Sequence, residues 1–110
     1  MERADMNPAE WLLSTARASP NAPALFHGTE EVANYREFAR RAAAIAGALA
    51  KRGIGPGNRV AILMQNRTEY LEAMYGIWWA GAAAVPINAK LHAKEAAWII
   101  DNAGARLVFA

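Results

Sequence analysis

The chain has 110 residues, 55% of them hydrophobic, with twelve Lys and Arg against ten Asp and Glu, a net charge of +2 at pH 7. A balance that close argues against nucleic acid or an anionic membrane surface as a partner. The absence of cysteine removes disulfides and thiolate zinc sites, and two isolated histidines, His27 and His92, make no metal site.

The first residues carry Glu2, Arg3 and Asp5 with no apolar run behind them, so no secretory signal is read here. Asn7-Pro8-Ala9-Glu10 is a helix start: Asn7 caps, Pro8 suits the first helical position, and Glu10 reaches back as in a capping box. That helix ends before Ser19-Pro20. Ala24 to His27 is a short extended piece, Gly28 to Glu31 a turn, and Val32-Ala33 a return strand. Asn34 and Glu37 form a second cap pair. They open a helix on which Tyr35, Phe38, Ala42, Ile45, Ala46 and Leu49 recur at helical spacing, with most of the charges opposite. Glu37 and Arg41 are spaced as a helical ion pair. Gly53 is the left-handed stop, with Ile54 placed for the apolar contact that follows such a cap.

Gly55 to Asn58 is a turn, and Arg59 to Met64 is a continuous apolar run, the pattern of a strand buried on both faces. Thr68 caps a helix that runs to Ala80 and stops at Gly81. Its apolar residues cover most of the circumference, so the helix is expected to be largely enclosed. Ala83 to Ile87 is a strand. Ala93 to Ala103 is a helix with His92 at its cap, and Arg106 to Phe109 is the last strand. The longest apolar stretch, residues 76–87, falls short of the ~20 residues that span a bilayer. A soluble, cytoplasmic protein without a membrane span is expected.

The order strand, helix, strand, helix, strand over about 59–109 predicts parallel strands joined by right-handed crossovers. The fold class is therefore α/β, a partial three-layer fold preceded by two helices and a short hairpin. Residues 1–56 form the helical and hairpin lead-in, and 57–110 the βαβαβ unit. Because the chain stops inside an apolar strand, at Val108-Phe109-Ala110, the sequence is read as truncated. The apolar content then leaves surface for self-association as a homo-oligomer.

Gly53-Ile54-Gly55-Pro56-Gly57 follows a helix and precedes a strand, the reverse of a pyrophosphate-binding loop, so it is a cap plus turn. Trp78-Trp79, Trp11 and Trp98 read as core or interface. No serine has a base beside it in sequence, and no acidic cluster suggests Mg²⁺, so no catalytic residue is assigned. Ligands of open parallel sheets collect beyond the carboxyl ends of strands. Gln65 and Asn66 follow the first of these strands, and Asn88 and Lys90 the second. Asn66, Asn88 and Lys90 are the cofactor-binding candidates. Satisfaction of loop backbone groups is the alternative role for them.

Asn34-Tyr35-Arg36-Glu37-Phe38, with the alanine-rich helix and Gly53 behind it, resembles the first conserved core of adenylate-forming enzymes, Thr-Tyr-x-Glu-Leu. Residues Trp79 to Asn88 resemble the second, Lys-Ala-Gly-x-Ala-Tyr-Val-Pro-Ile-Asp. Gly57 to Asn66 is similar to the strand that lies between them in that superfamily, and Ile99 to Arg106 to its next helix-to-strand passage. Asn34, Asn58, Trp79 and Asn88 depart from the usual threonine, aspartate, lysine and aspartate. Asn88 looks more like the fatty or organic acid CoA ligases than the peptide-synthetase domains.

The resemblance implies the N-terminal part of the large domain of an AMP-forming acyl-CoA synthetase. Such an enzyme joins a carboxylate to AMP at the expense of ATP, then transfers the acyl group to CoA. ATP, Mg²⁺ and CoA are thereby implied for the full-length enzyme. Its phosphate loop, acidic nucleotide-binding residues and catalytic lysine lie beyond Ala110, so this chain alone is expected to bind no cofactor and to be inactive. The remainder of the parent enzyme is its implied partner. Two alternatives stand beside that reading. One is a stand-alone α/β binding or assembly module without catalysis. The other is a receiver-type module, which wants acidic side chains where Gln65, Asn66 and Asn88 stand.

Overall fold

Polar side chains cap the starts of three helices, and left-handed glycines, Gly53, Gly81 and Gly104, follow three of the helix ends. In the computed structural model, which describes residues 7–65 and 67–110, α1 spans Pro8–Ala18, and the Asn7 side chain accepts from the Ala9 amide at 2.9 Å. This cap is one-sided. β1 (Pro23–His27) and β2 (Glu30–Asn34) form an antiparallel hairpin turning at Gly28, whose φ of 64° no β-branched residue would accept cheaply. The return strand is thus longer than Val32-Ala33.

α2 runs from Tyr35 to Lys51 behind a complete capping box: Asn34 accepts from the Glu37 amide at 2.9 Å, and Glu37 accepts from the Asn34 amide at 3.1 Å. Glu37 is therefore not the partner of Arg41. Arg41 reaches across to Glu72 on the next helix at 3.0 Å. At the other end the Gly53 amide donates to Ala50 and the Ile54 amide to Leu49, the paired bonds of a Schellman stop. Ile54 and Leu49 are both buried, so the apolar contact that accompanies this cap is present.

β3 (Arg59–Ile62), α3 (Thr68–Trp79), β4 (Ala83–Pro86), α4 (Ala93–Ala103) and β5 (Ala105–Phe109) complete the chain. The three strands are parallel in the order β4-β3-β5, so β3 is central, and Val60, Ala61 and Ile62 are each 0% exposed. Successive strand residues face opposite ways. Val60 and Ile62 pack under α2 and α3 with Leu49, Ala73 and Ile77, while Ala61 packs under α4 with Ile87 and Ala96. A second core, with Leu12, Leu25, Ala33, Phe38 and Ala42, joins α1 and the hairpin to the outer side of α2. This is the expected α/β arrangement: a parallel sheet flanked by helices, preceded by two helices and a hairpin.

α3 is largely enclosed, as expected: Ala73, Gly76 and Ile77 are buried, Tyr70 and Met74 pack toward the sheet, and Tyr75 and Trp79 toward the α1–hairpin core, while Leu71 is 41% exposed. Trp11 and Trp98 lie outside the core, at 51% and 67% exposed. Where α3 crosses α2, Gly76 lets the backbones close up against Ile45 and Ala42.

Candidate functional site

The carboxyl ends of β3 and β4 lead into helices on opposite faces of the sheet, α3 with the α2 layer and α4 on the far side. Diverging connections leave a crevice between the strand ends, where ligands of open α/β sheets bind. Here the crevice is a cleft of about 630 Å³. Its apolar wall is Met64, Pro86, Ile87 and Ala89; its polar rim is Gln65, Tyr70, Asn88 and Lys90.

The β4 side of the rim is held tightly. Ile87 is buried, and its amide donates to the Ile62 carbonyl at 2.9 Å, which ties the loop to the central strand. Asn88 Oδ1 accepts from the Lys90 amide at 2.9 Å, and the Asn88 carbonyl from the Leu91 amide at 3.1 Å. Two residues later α4 begins, with His92 as its cap. His92 Nδ1 accepts from the Lys94 amide at 3.3 Å, and the His92 amide donates to Glu95 at 3.3 Å. Residues 88–92 therefore form a short span pinned at both ends. The carboxamide oxygen of Asn88 does the backbone service that was its alternative role, and the turn it makes presents Lys90 at the mouth of the cleft.

The β3 side is built differently. α3 has Arg67 as its cap with no side-chain bond to the helix, so Thr68 is not the cap but the first helical residue. Its hydroxyl lies 3.4 Å from Glu69 instead. Of the sequence-derived candidates, Asn88, Lys90 and neighbouring Gln65 come together, and Asn66 lies outside the described residues. Met64 and Tyr70 are additions. Tyr70 was legible only as helix face; its place in the first turn after a parallel strand is the signal that puts it beside the strand end.

This rim carries one cation, two carboxamides and one phenol, and no carboxylate lines the cleft among the described residues. Nor do any three His, Asp or Glu side chains cluster as a metal ligand set among them. A magnesium-bound triphosphate therefore does not fit this donor set by itself. Lys90 matches a single phosphate or carboxylate group, and its exposed position makes any such attraction sensitive to salt. The one phenol pushed above its ordinary range is elsewhere. Burial, and to a lesser degree Tyr35, raises Tyr75, which sits edge-on between Phe38 and Trp78 in the helical core. It has no part in the cleft.

The family model for AMP-binding enzymes matches residues 12–110. Feruloyl-CoA synthase of Amycolatopsis sp is 38% identical over 98 residues, which are 89% of this chain and 20% of that protein. Malpibaldin synthetase of Mortierella alpina is 38% identical over 92 residues, 84% of this chain and 2% of that protein. Among solved structures, the Mycobacterium tuberculosis fatty acyl CoA synthetase superposes with a TM-score of 0.87 at 33% identity, covering 97% of this chain and 22% of that one. The chain thus spans about a fifth of the length of the feruloyl-CoA synthase and of the fatty acyl CoA synthetase. No helix among the described residues is long and apolar enough to cross a membrane. Two motif-bearing stretches, a parallel β4-β3-β5 sheet and a family match over nearly every residue agree, and the chain belongs to the AMP-binding enzyme family.

Proposed function

We propose that this chain is the N-terminal scaffold of an acyl-CoA synthetase. The parent reaction converts a carboxylate, ATP and CoA to acyl-CoA, AMP and pyrophosphate in the cytoplasm, and these 110 residues do not perform it alone. The cleft at the ends of β3 and β4 carries the reading: it lies where the fold binds ligands, and among the described residues its lining offers one lysine, one phenol and no carboxylate. Asn88, where the peptide-synthetase pattern has aspartate, favours a CoA ligase. In this reading Asn88 and Lys90, with Asn66 from the sequence, face a cofactor. Lys90 meets a phosphate group.

ATP–pyrophosphate exchange by the purified chain, over a panel of aromatic and aliphatic carboxylates, is expected to stay at the blank. Replacing the matched segment of the Amycolatopsis feruloyl-CoA synthase with this chain is expected to give a folded, active chimera. Lys90→Ala in that chimera raises the KM for ATP or CoA several-fold without lowering its melting temperature. Exchange by the isolated chain, or a folded chimera without activity, would overturn the proposal.

A further inference from the structure

The turn after β4 uses only half of the Asn88 side chain. Its Oδ1 accepts from the Lys90 amide at 2.9 Å, and its carbonyl accepts from the Leu91 amide at 3.1 Å. Residues 88–91 are thus a β-turn with Asn88 in the first position and Lys90 in the third. The bond from Lys90 also fixes which way the carboxamide lies, because only its oxygen can accept. Nδ2 keeps two N–H groups and has no partner among the described residues. Asn88 and Lys90 are both exposed, and both line the cleft. No carboxylate lines that cleft, and no ion pair engages Lys90, among the described residues.

The turn does not itself demand a carboxamide, since Asp, Asn and Ser are all favoured at the first position of the commonest β-turns. An aspartate would hold the same amide but set a negative charge where the flexible lysine stem can fold back onto it. We propose that Asn88 is a specificity-determining residue: its oxygen positions Lys90, while its neutral, free Nδ2 keeps this rim selective for a phosphate group. This role rests on the scaffold reading, in which Lys90 meets a phosphate, and supplies the reason that asparagine precedes it. A phosphate has acceptor oxygens enough for the amide donor and for the ammonium, which binds it as a point charge. Lys90 and Nδ2 therefore act as one unit, with nothing of opposite sign at the mouth to compete for the lysine.

Asn88→Asp is the discriminating change, because it keeps the oxygen that holds the turn, removes the donor and adds a charge. In the isotope-labelled chain alone, sodium pyrophosphate at constant ionic strength is expected to shift the NMR signals of the Lys90 amide and the Asn88 side-chain N–H pair. Asn88→Asp should melt with the parent and lose the Lys90 shift. In the feruloyl-CoA synthase chimera, Asn88→Asp is expected to raise the KM for ATP or CoA, whichever Lys90→Ala affects, about tenfold with kcat unchanged. Asn88→Ser keeps an uncharged acceptor and loses only the donor, so it should cost about two- to threefold. Lys90→Ala should then cost less than about twofold on top of Asn88→Asp, because the two groups act together. A pyrophosphate shift that is absent from the parent or survives Asn88→Asp overturns the proposal, as does an undiminished effect of Lys90→Ala beside Asn88→Asp. So does a lowered melting temperature in Asn88→Asp with parent-like binding by Asn88→Ser, which would leave the residue a turn-former only. An active chimera alongside any of those results keeps the scaffold reading standing. A folded but inactive chimera sinks that reading, and the pyrophosphate titration still decides the role of Asn88.

Discussion

Replacing Gly76 with alanine tests the closest helix contact in the chain. The added Cβ would lie 2.5 Å from Ile45 Cγ2, 2.6 Å from Ile45 Cβ and 3.1 Å from the Ala42 carbonyl oxygen. Carbon atoms in contact sit roughly 3.5–4.0 Å apart, so α2 and α3 must separate locally by about 1 Å. A rotamer change moves Cγ2 but not Cβ, and the carbonyl belongs to the helix backbone, so no side chain can absorb the clash. Overpacking costs about 1–3 kcal/mol, and a clash against a Cβ and a backbone carbonyl, which no rotamer relieves, belongs in the upper part of that range, about 2–3 kcal/mol. Alanine returns about 1 kcal/mol through its better helix propensity, which leaves a net loss on the order of 1–2 kcal/mol. At about 4–8 °C per kcal/mol for a domain of this size, the melting temperature falls by roughly 5–15 °C. Urea melts followed by tryptophan fluorescence should show a lower midpoint with an unchanged slope. Ile45→Ala combined with Gly76→Ala should be less damaging than the sum of the two alone, by at least about 0.5 kcal/mol. A Gly76→Ala protein as stable as the parent would refute the close-packed crossing.

Asn34→Ala removes one arm of the α2 capping box and should cost about 1 kcal/mol in thermal melts, with Asn34→Ser recovering most of it. Leu12→Ala, at a side chain 0% exposed between α1 and the hairpin, should cost about 2–5 kcal/mol by urea denaturation. Tyr75 titrates above its ordinary value of about 10 in the folded chain, so the unfolded chain loses that proton first. Stability from this group is accordingly unchanged below about pH 10 and declines as the pH climbs toward the folded-state value. Urea midpoints between pH 8 and about 11.5 should fall less in Tyr75→Phe than in the parent.

Much of this was legible in the residues themselves. Asn34 with Glu37, His92 before α4, and Gly53, Gly81 and Gly104 at helix ends act within a few residues of where they stand. Local hydrogen bonds and backbone sterics set such features, and these need no distant partner. The period-3.6 apolar patterns likewise supplied the helices, and short extended or apolar runs between turn residues supplied the strands. The unbroken run at 59–64 marked β3 as a strand buried on both faces.

Other assignments failed locally because several partners were available. Glu37 suited both the Asn34 amide and Arg41; it caps the helix, and Arg41 pairs with Glu72. The all-round apolar α3 is covered nearly everywhere, and only the placement of its neighbours left Leu71 41% exposed. Periodicity records which side chains avoid water but not how many neighbours arrive to cover them. Trp11 and Trp98, read as core or interface, lie outside the core.

Local stereochemistry, written in the order of the residues, determined the elements, their ends and the likeness to adenylate-forming enzymes. Tertiary structure alone decided that β4 and β5 flank β3, because strand order depends on crossovers between distant segments. That order is what brings Gln65, Tyr70, Asn88 and Lys90 around one cleft and leaves β5 with an open edge.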